Sequence, residues 1–228
     1  MLINVAFIAG SYLFGALPFT TALAKASGLD LSQERDLHIA LQRKVSKFRA
    51  SLASFVDFIK GSIAVLIGFG FNLLPAVVVL SGVAVVVGQM WPPFRSCHGE
   101  KGNSTGSAVI ITLALIYEAY IVLICLAFFA VGSGLRLITY RRFPDPTHPV
   151  ALALPAGMFL GFAAAPLASW CSGQPKSITL GLLALFIIIV ARRLTTYLKA
   201  DLKANRSISQ ILVNRLLFDQ SFLEKAQK

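Results

Sequence analysis

The chain has 228 residues, of which 56% are hydrophobic and 14% charged, with a mean hydropathy of +0.74 and a net charge of +11. So apolar a composition excludes an ordinary water-soluble domain and leaves no stretch for a separate one. In a soluble protein this basic balance would point to nucleic acid. Here the cations flank apolar runs, so positive-inside topology and anionic lipid headgroups account for them, and no nucleic-acid partner is expected.

Several apolar runs approach or reach the roughly 20 residues a helix needs to cross about 30 Å of hydrocarbon. Inside hydrocarbon every backbone polar group needs an internal partner, which leaves helices or closed barrels. The runs are too long and too unalternating for barrel strands. The expected fold is therefore all-α: a polytopic integral membrane protein with about six full transmembrane helices and one short half-span helix. Cys97, Cys125 and Cys171 fall in separate regions without metal-ligand spacing. No disulfide framework, metal site or cofactor is expected.

Leu2 to Ala24 reads as the first span, retained rather than cleaved, because no cationic segment precedes it. Gly10, Ser11, Gly15 and Ala16 form a stripe of small residues suited to close helix packing, and Pro18 should bend the helix near its end. Lys25 to Arg49 is a polar connection whose basic core runs from Gln42 to Arg49. The second span, about Ala50 to Phe71, carries Asp57 and Lys60. Charges within a span are costly unless paired or facing water. Three residues apart, the two share a helical face and can pair. Asn72 to Pro75 is a turn, and Ala76 to Gln89 returns as a shorter span.

Gly88 to Thr105 reads GQMWPPFRSCHGEKGNST. It breaks at Pro92–Pro93, presents Gly99-Glu100-Lys101-Gly102, and re-enters an apolar run through Asn103, Ser104 and Thr105, which suit an N-cap. The first N–H groups of a helix lack intrahelical partners and carry partial positive charge, so an anion can settle there. Gly99 and Gly102 permit close backbone approach, and Lys101 adds a point charge.

Ser107 to Leu137 is too apolar and too long for one helix. A half-span to about Ile116 and a full span from about Ala119 place Glu118 at a turn. Arg136 to Pro149 is a basic, turn-rich connection. Val150 to Trp170 and Ile178 to Val190 are the last spans, stopped by Arg192 and Arg193. From Thr195 to Lys228, Leu198, Leu202, Ile208, Ile211, Leu212, Leu216 and Phe218 recur among cations, as in a helix lying on a membrane surface. Domain boundaries follow: 1–194 in the membrane, and 195–228 as a cytoplasmic amphipathic tail. In this threading, nineteen of the 21 Lys and Arg share one side, with Lys60 inside a span and Lys176 opposite. That side is expected to be cytoplasmic, with the N-terminus outside.

These landmarks resemble the bacterial acyl-phosphate:glycerol-3-phosphate acyltransferase family. Gly10 to Phe19, GSYLFGALPF, is similar to its opening SYLxGxxPF, and Asp57 to Gly61 matches its DxxKG. Gly88 to Thr105 follows its proline- and glycine-bearing loop without a gap, keeping Gly88, Pro92, Gly99, Lys101, Gly102 and Thr105. Arg43 falls on its motif arginine and Lys47 on a commonly basic position. The likeness runs from about Leu2 to Leu115 and then fades. The family's glycine-rich segment is replaced by Glu34 to Ala40, the loop histidine by Gln89, and the second glycine of its GGK triplet by Glu100. Its serine-bearing segment gives way to sequence around His148–Pro149, and its late histidine motif to Ala191 to Tyr197.

The resemblance implies transfer of an acyl group from acyl phosphate to glycerol 3-phosphate, giving lysophosphatidic acid. The setting would be the inner membrane of a bacterium, with membrane lipids as partners and the active-site loops cytoplasmic. Arg43 and Lys47 would hold glycerol phosphate, while Lys101 would act on acyl phosphate with Gly99 and the Gly102, Ser104 and Thr105 region. Lys60, oriented by Asp57, would be a supporting cation, and Gln89 a supporting group. Glu100 lowers the local positive charge. No acyl-enzyme signature is present, so direct transfer is expected, and His38, His98 and His148 are possible proton acceptors. The alternatives are a non-catalytic or altered-acceptor relative that binds lipid or a membrane partner, and a small transporter hinted at only by Asp57 and Lys60.

Overall fold

The computed structural model describes residues 1–29, 37–95, 99–142, 153–196, 198–202 and 207–219. All regular structure among them is helical. Two compact units divide the chain, Met1–Glu118 and Ala119–Lys228.

The first unit contains α1 (Leu2–Ala16), α2 (Phe19–Lys25), α3 (Leu37–Lys44), α4 (Lys47–Gly70), α5 (Pro75–Met90) and α6 (Asn103–Ile116). Proline has no N–H to continue a helix, and Pro18 does more than bend the first span. It separates α1 from α2 with φ −85° and ψ 61°, and the Phe19 N–H donates to the Leu17 carbonyl at 3.0 Å. That is an inverse γ-turn. Ser46 caps α4, its hydroxyl accepting from the Arg49 N–H at 3.1 Å. At the other end Asn72, with φ 50°, turns the chain. Its N–H donates to Phe69 O and that of Leu73 to Gly68 O, a Schellman ending. Pro75 then opens α5 at a first-turn position where the missing N–H costs nothing.

Small residues let these helices touch. A Cβ on Gly15 would lie 2.0 Å from the Val85 carbonyl oxygen, and one on Gly88 2.0 Å from that of Tyr12, so α1 and α5 meet backbone to backbone. Gly61 does the same for α4 against α6, where a Cβ would be 2.3 Å from Thr105 O. Gly10 belongs to the sequence stripe but faces open space. A second small core joins Ala24 of α2, Leu37, Ala40 and Leu41 of α3, and Ala50 and Ala53 of α4. The polar connection of the sequence reading therefore contains a helix, because three of its residues have this apolar partner surface.

The second unit holds a 3-10 turn at Tyr120–Leu123, α7 (Ile124–Arg142), α8 (Ala153–Cys171), α9 (Lys176–Thr195), α10 (Leu198–Leu202) and α11 (Ile208–Phe218). Glu118 sits at the break before it with φ 54°, where the sequence placed the split. Gly157 and Gly161 bring α8 against α7, where added Cβ atoms would lie 2.5 Å from Phe128 O and 2.3 Å from the Phe129 ring. Ser169 and Thr179 share a hydrogen bond of 2.7 Å between α8 and α9.

Five stretches among the described residues are long and apolar enough to span: Leu2–Lys25, Lys47–Gly70, Tyr120–Ile138, Leu154–Cys171 and Lys176–Thr195. Pro75–Met90, the third expected span, has 16 residues, about 24 Å at 1.5 Å per residue, in keeping with the shorter span the sequence suggests. Two expectations need correcting. Arg192 and Arg193 do not stop the last span, which runs to Thr195. Arg193 is 5% exposed because acceptors meet it: Pro155 O at 3.2 Å and Leu216 O at 2.6 Å. Finally, the tail is more than a surface helix. Arg215 is buried, its Nε donating to the Asp201 carboxylate at 2.8 Å and its Nη1 to the carbonyls of Arg193, Leu194 and Thr196. It thereby satisfies the end of α9. Ile211 is buried, while Ile208 and Leu212 remain exposed.

Candidate active site

The first unit contains a narrow cleft of about 10 Å³, room for roughly one water molecule, that is partly open to solvent. Its walls are the α1–α2 break at Gly15 to Pro18, Lys60 of α4, Gln89 at the end of α5, and Pro92, Gly99 and Glu100 of the following loop. The break in the first span therefore does two things. It opens the wall of the cleft, and it leaves Leu17 with a carbonyl that no helix consumes.

Lys60 uses that carbonyl. Its ammonium, on a residue 3% exposed, donates to Leu17 O at 2.9 Å and lies 3.0 Å from the Asp57 carboxylate. The Phe19 ring sits over it, with its centroid 4.7 Å away. An ammonium has three donors, and these contacts hold Lys60 in place rather than letting it snorkel. Asp57 is 1% exposed, so the pair is buried as a unit. That arrangement is tolerable only because each charge is matched and hydrogen-bonded.

A polar chain ties this pair to the loop. Thr105, fully buried on α6, points its hydroxyl at the Asp57 carbonyl at 2.7 Å and at the Gln89 side-chain oxygen. One hydroxyl proton serves both acceptors in turn. The Gln89 amide nitrogen donates to the Glu100 carboxylate at 3.3 Å. Two backbone bonds fold the loop onto the end of α5: Gly99 N–H to Met90 O at 3.2 Å and Glu100 N–H to Gln89 O at 3.1 Å. Only glycine fits at position 99, since a Cβ there would lie 2.0 Å from Gln89 O. Tyr12 adds a further tie, its hydroxyl donating to Trp91 O at 2.8 Å.

Gly102 is the N-cap of α6. It takes a left-handed conformation with φ 71° and packs on the Met90 side chain, and no side chain caps the helix. Asn103, Ser104 and Thr105 are therefore first-turn residues of α6 and not its cap, correcting the expectation. A left-handed N-cap needs a residue without a Cβ penalty, which Gly102 supplies.

Of the residues singled out by sequence, Lys60, Gln89 and Gly99 line the cleft, and Asp57 and Thr105 lie directly behind them. Gly102 is buried, Ser104 half-buried, and Lys101 exposed on the loop outside the cleft lining. Lys47 is exposed in the first turn of α4. Arg43 lies on α3 with its side chain outside the described residues, as are the side chain of His38 and all of His98 and His148. The sequence reading missed the Leu17 carbonyl and Phe19, for which Pro18 beside an intramembrane lysine was the available signal. It treated Glu100 only as a loss of charge, although the paired departures at Gln89 and Glu100 meet each other.

Residues 5–200 match the glycerol-3-phosphate acyltransferase family. The chain is 25% identical over 228 residues to glycerol-3-phosphate acyltransferase 5 of Dehalococcoides mccartyi, covering 96% of this chain and 86% of that relative. It is 34% identical over 106 residues to glycerol-3-phosphate acyltransferase 1 of Deinococcus radiodurans, a similarity that spans 45% of this chain and 54% of the relative. In fold it is similar to the crystal structure of PlsY (YgiH), an integral membrane glycerol 3-phosphate acyltransferase, in its glycerol 3-phosphate form. That likeness has a TM-score of 0.66 at 22% identity and covers 99% of both chains. This helical integral membrane protein belongs to the glycerol-3-phosphate acyltransferase family.

Proposed function

We propose that the chain transfers an acyl group from an acyl phosphate to glycerol 3-phosphate, forming lysophosphatidic acid for phospholipid synthesis. The observation that carries this reading is the segment from Gly99 to Thr105, folded onto the end of α5. It brings Gly99, Glu100 and Gln89 against the buried Lys60–Asp57 pair, inside a chain that matches the family over residues 5–200. The relatives are named as enzymes, which favours catalysis over a non-catalytic role.

In this reading the loop and the start of α6 receive the phosphate of the donor. The N–H groups of Asn103, Ser104 and Thr105 lie in the first turn, where helix donors lack intrahelical partners. Lys101 supplies positive charge from its exposed position. Charge builds on the carbonyl oxygen and on the leaving phosphate as the acyl group transfers, and preset donors stabilise it. Arg43 and Lys47, on α3 and at the start of α4, bind the phosphate of the acceptor. Lys60 acts as a supporting cation whose geometry is fixed by Asp57, Leu17 and Phe19. Holding donor and acceptor together lowers the barrier by several kcal/mol, through orientation alone. The protein works as a multi-pass protein of a bacterial inner membrane, with these loops on the cytoplasmic side.

The test is Lys101→Ala in purified, folded protein. Turnover of palmitoyl phosphate with glycerol 3-phosphate should fall to background, and unchanged turnover would remove Lys101 from the site.

A further inference from the structure

We propose that the outward face of α11 is seated in the membrane, at the boundary between lipid headgroups and acyl chains, an inference that does not depend on the acyl-transfer reading. The tail is then a lipid-embedded element and not a helix displayed to water.

A helix that packs on protein with one face and meets water with the other turns its apolar residues inward and its polar ones out. Over much of its length α11, Ile208–Phe218, does the reverse. Asn214 is 5% exposed and Arg215 2%, whereas Ile208 is 67% exposed and Val213 51%. At about 100° per residue, Ile208, Leu212, Val213, Leu216 and Leu217 fall on one half of the helix surface. Ser209 is the polar residue among them, and the charge of α11, on Arg215, points inward.

The inward groups fix where this face sits. Arg215, in the last turn of α11, donates from Nη1 to the carbonyls of Leu194, at 3.1 Å, and Thr196 at the end of α9. Arg193, in the last turn of α9, donates to Leu216 O at 2.6 Å. Each arginine thus satisfies carbonyls at the other helix's C-terminal end. The clamp ties α11 to the end of Lys176–Thr195, a helix long and apolar enough to span. With 11 residues, α11 is about 16 Å long, roughly half of the hydrocarbon thickness, so it lies at the end of that span and does not cross. Its apolar face is therefore carried at the edge of the bilayer. Lipid is the occupant that fits, because the outward half offers no charge and no polar side chain but Ser209 for a protein to recognise. In sequence, Lys199, Lys203 and Arg206 precede the helix and Lys225 and Lys228 follow it. Cations flanking an apolar face suit anionic headgroups beside a shallow insertion.

The test uses nitroxide labels at Leu212→Cys and, separately, Val213→Cys, in the full chain carrying Cys97→Ser, Cys125→Ala and Cys171→Ser. The samples are vesicles of phosphatidylethanolamine and phosphatidylglycerol, with oxygen as the relaxing agent that enters hydrocarbon and a nickel chelate as the one that stays in water. Leu167→Cys, exposed on the α8 span, is the hydrocarbon reference, and Ser172→Cys, exposed in the turn after it, is the water reference. Both tail labels should follow Leu167→Cys, with accessibilities that place them about 5–10 Å inside the headgroup boundary. Labels that follow Ser172→Cys put the face in water and overturn the proposal. Labels shielded from both agents overturn it too, by putting protein, such as a second copy, on the face. The unaltered protein gives an independent reading. A phospholipid with a diazirine in its acyl chain should cross-link, on irradiation, to the peptide holding Ile208 to Leu217. Cross-links confined to the spans contradict the proposal even if a labelled variant fails to fold.

Discussion

Replacing Lys60 by methionine should be among the most destabilising single changes in the first unit. The substitution keeps most of the side-chain volume, so the effect isolates the charge. It leaves the Asp57 carboxylate, 1% exposed, without its ammonium at 3.0 Å. It also strips the Leu17 carbonyl of its side-chain donor at 2.9 Å, leaving only the Phe19 N–H at 3.0 Å among the donors described, and the Phe19 ring of its cation. Removing one partner of a buried ion pair costs about 3–5 kcal/mol, because the survivor remains charged in a poor solvent for charge. For a chain of this size about 1 kcal/mol moves Tm by roughly 2–4 °C, so the expected drop is on the order of 6–20 °C. The assay is thermal unfolding in mild detergent, followed by size-exclusion of the heated sample. The double variant Asp57→Asn/Lys60→Met removes both charges and should recover most of the loss, giving a large coupling term in the cycle. If Lys60→Met unfolds at the temperature of the unaltered protein, or the double variant is no better than the single one, the buried pair is not what secures the break at Pro18.

Other changes probe the packing and the tail. Gly88→Ala should cost about 1–3 kcal/mol as overpacking, because its Cβ would meet Tyr12 O at 2.0 Å. Gly10→Ala, in the same sequence stripe but facing open space, should stabilise by about 0.5–1 kcal/mol through helix propensity; the pair of melting curves checks both signs. Arg215→Met should take from the fully buried Asp201 its guanidinium partner and leave the end of α9 uncapped. The expected cost is about 3–5 kcal/mol, read as faster protease cleavage of the tail after Thr195. Thr105→Val removes the donor shared by Asp57 O and Gln89. A loss of about 1–3 kcal/mol follows from the unsatisfied acceptors, together with reduced turnover, since the loop loses its tie to α4.

Much of the architecture is legible in the sequence because the membrane constrains it. The apolar runs show helices directly, and the length of Ser107 to Leu137 together with Glu118 shows the split that the αL turn at Glu118 realises. Asp57 and Lys60 show their pairing by spacing alone. Features that depend on distant partners are hidden. Leu37 to Lys44 lacks a strong helical pattern and folds because α2 and α4 offer it an apolar surface. Arg193 and Arg215 read as solvated cations, since nothing local shows that Pro155, Leu216 and Asp201 will receive them. The site divides in the same way. Gly99 and Gly102 announce a tight loop, whereas the Leu17 carbonyl shows only indirectly, through Pro18, because a backbone acceptor leaves no mark of its own. The contact between Gln89 and Glu100 links residues that the family comparison presents as separate losses.

The most direct test is acyl transfer by the purified protein in lipid, from palmitoyl phosphate to labelled glycerol 3-phosphate, with Lys101→Ala as control. The account predicts labelled lysophosphatidate from the unaltered protein and only background from the control. No product from a sample shown to be folded would contradict it.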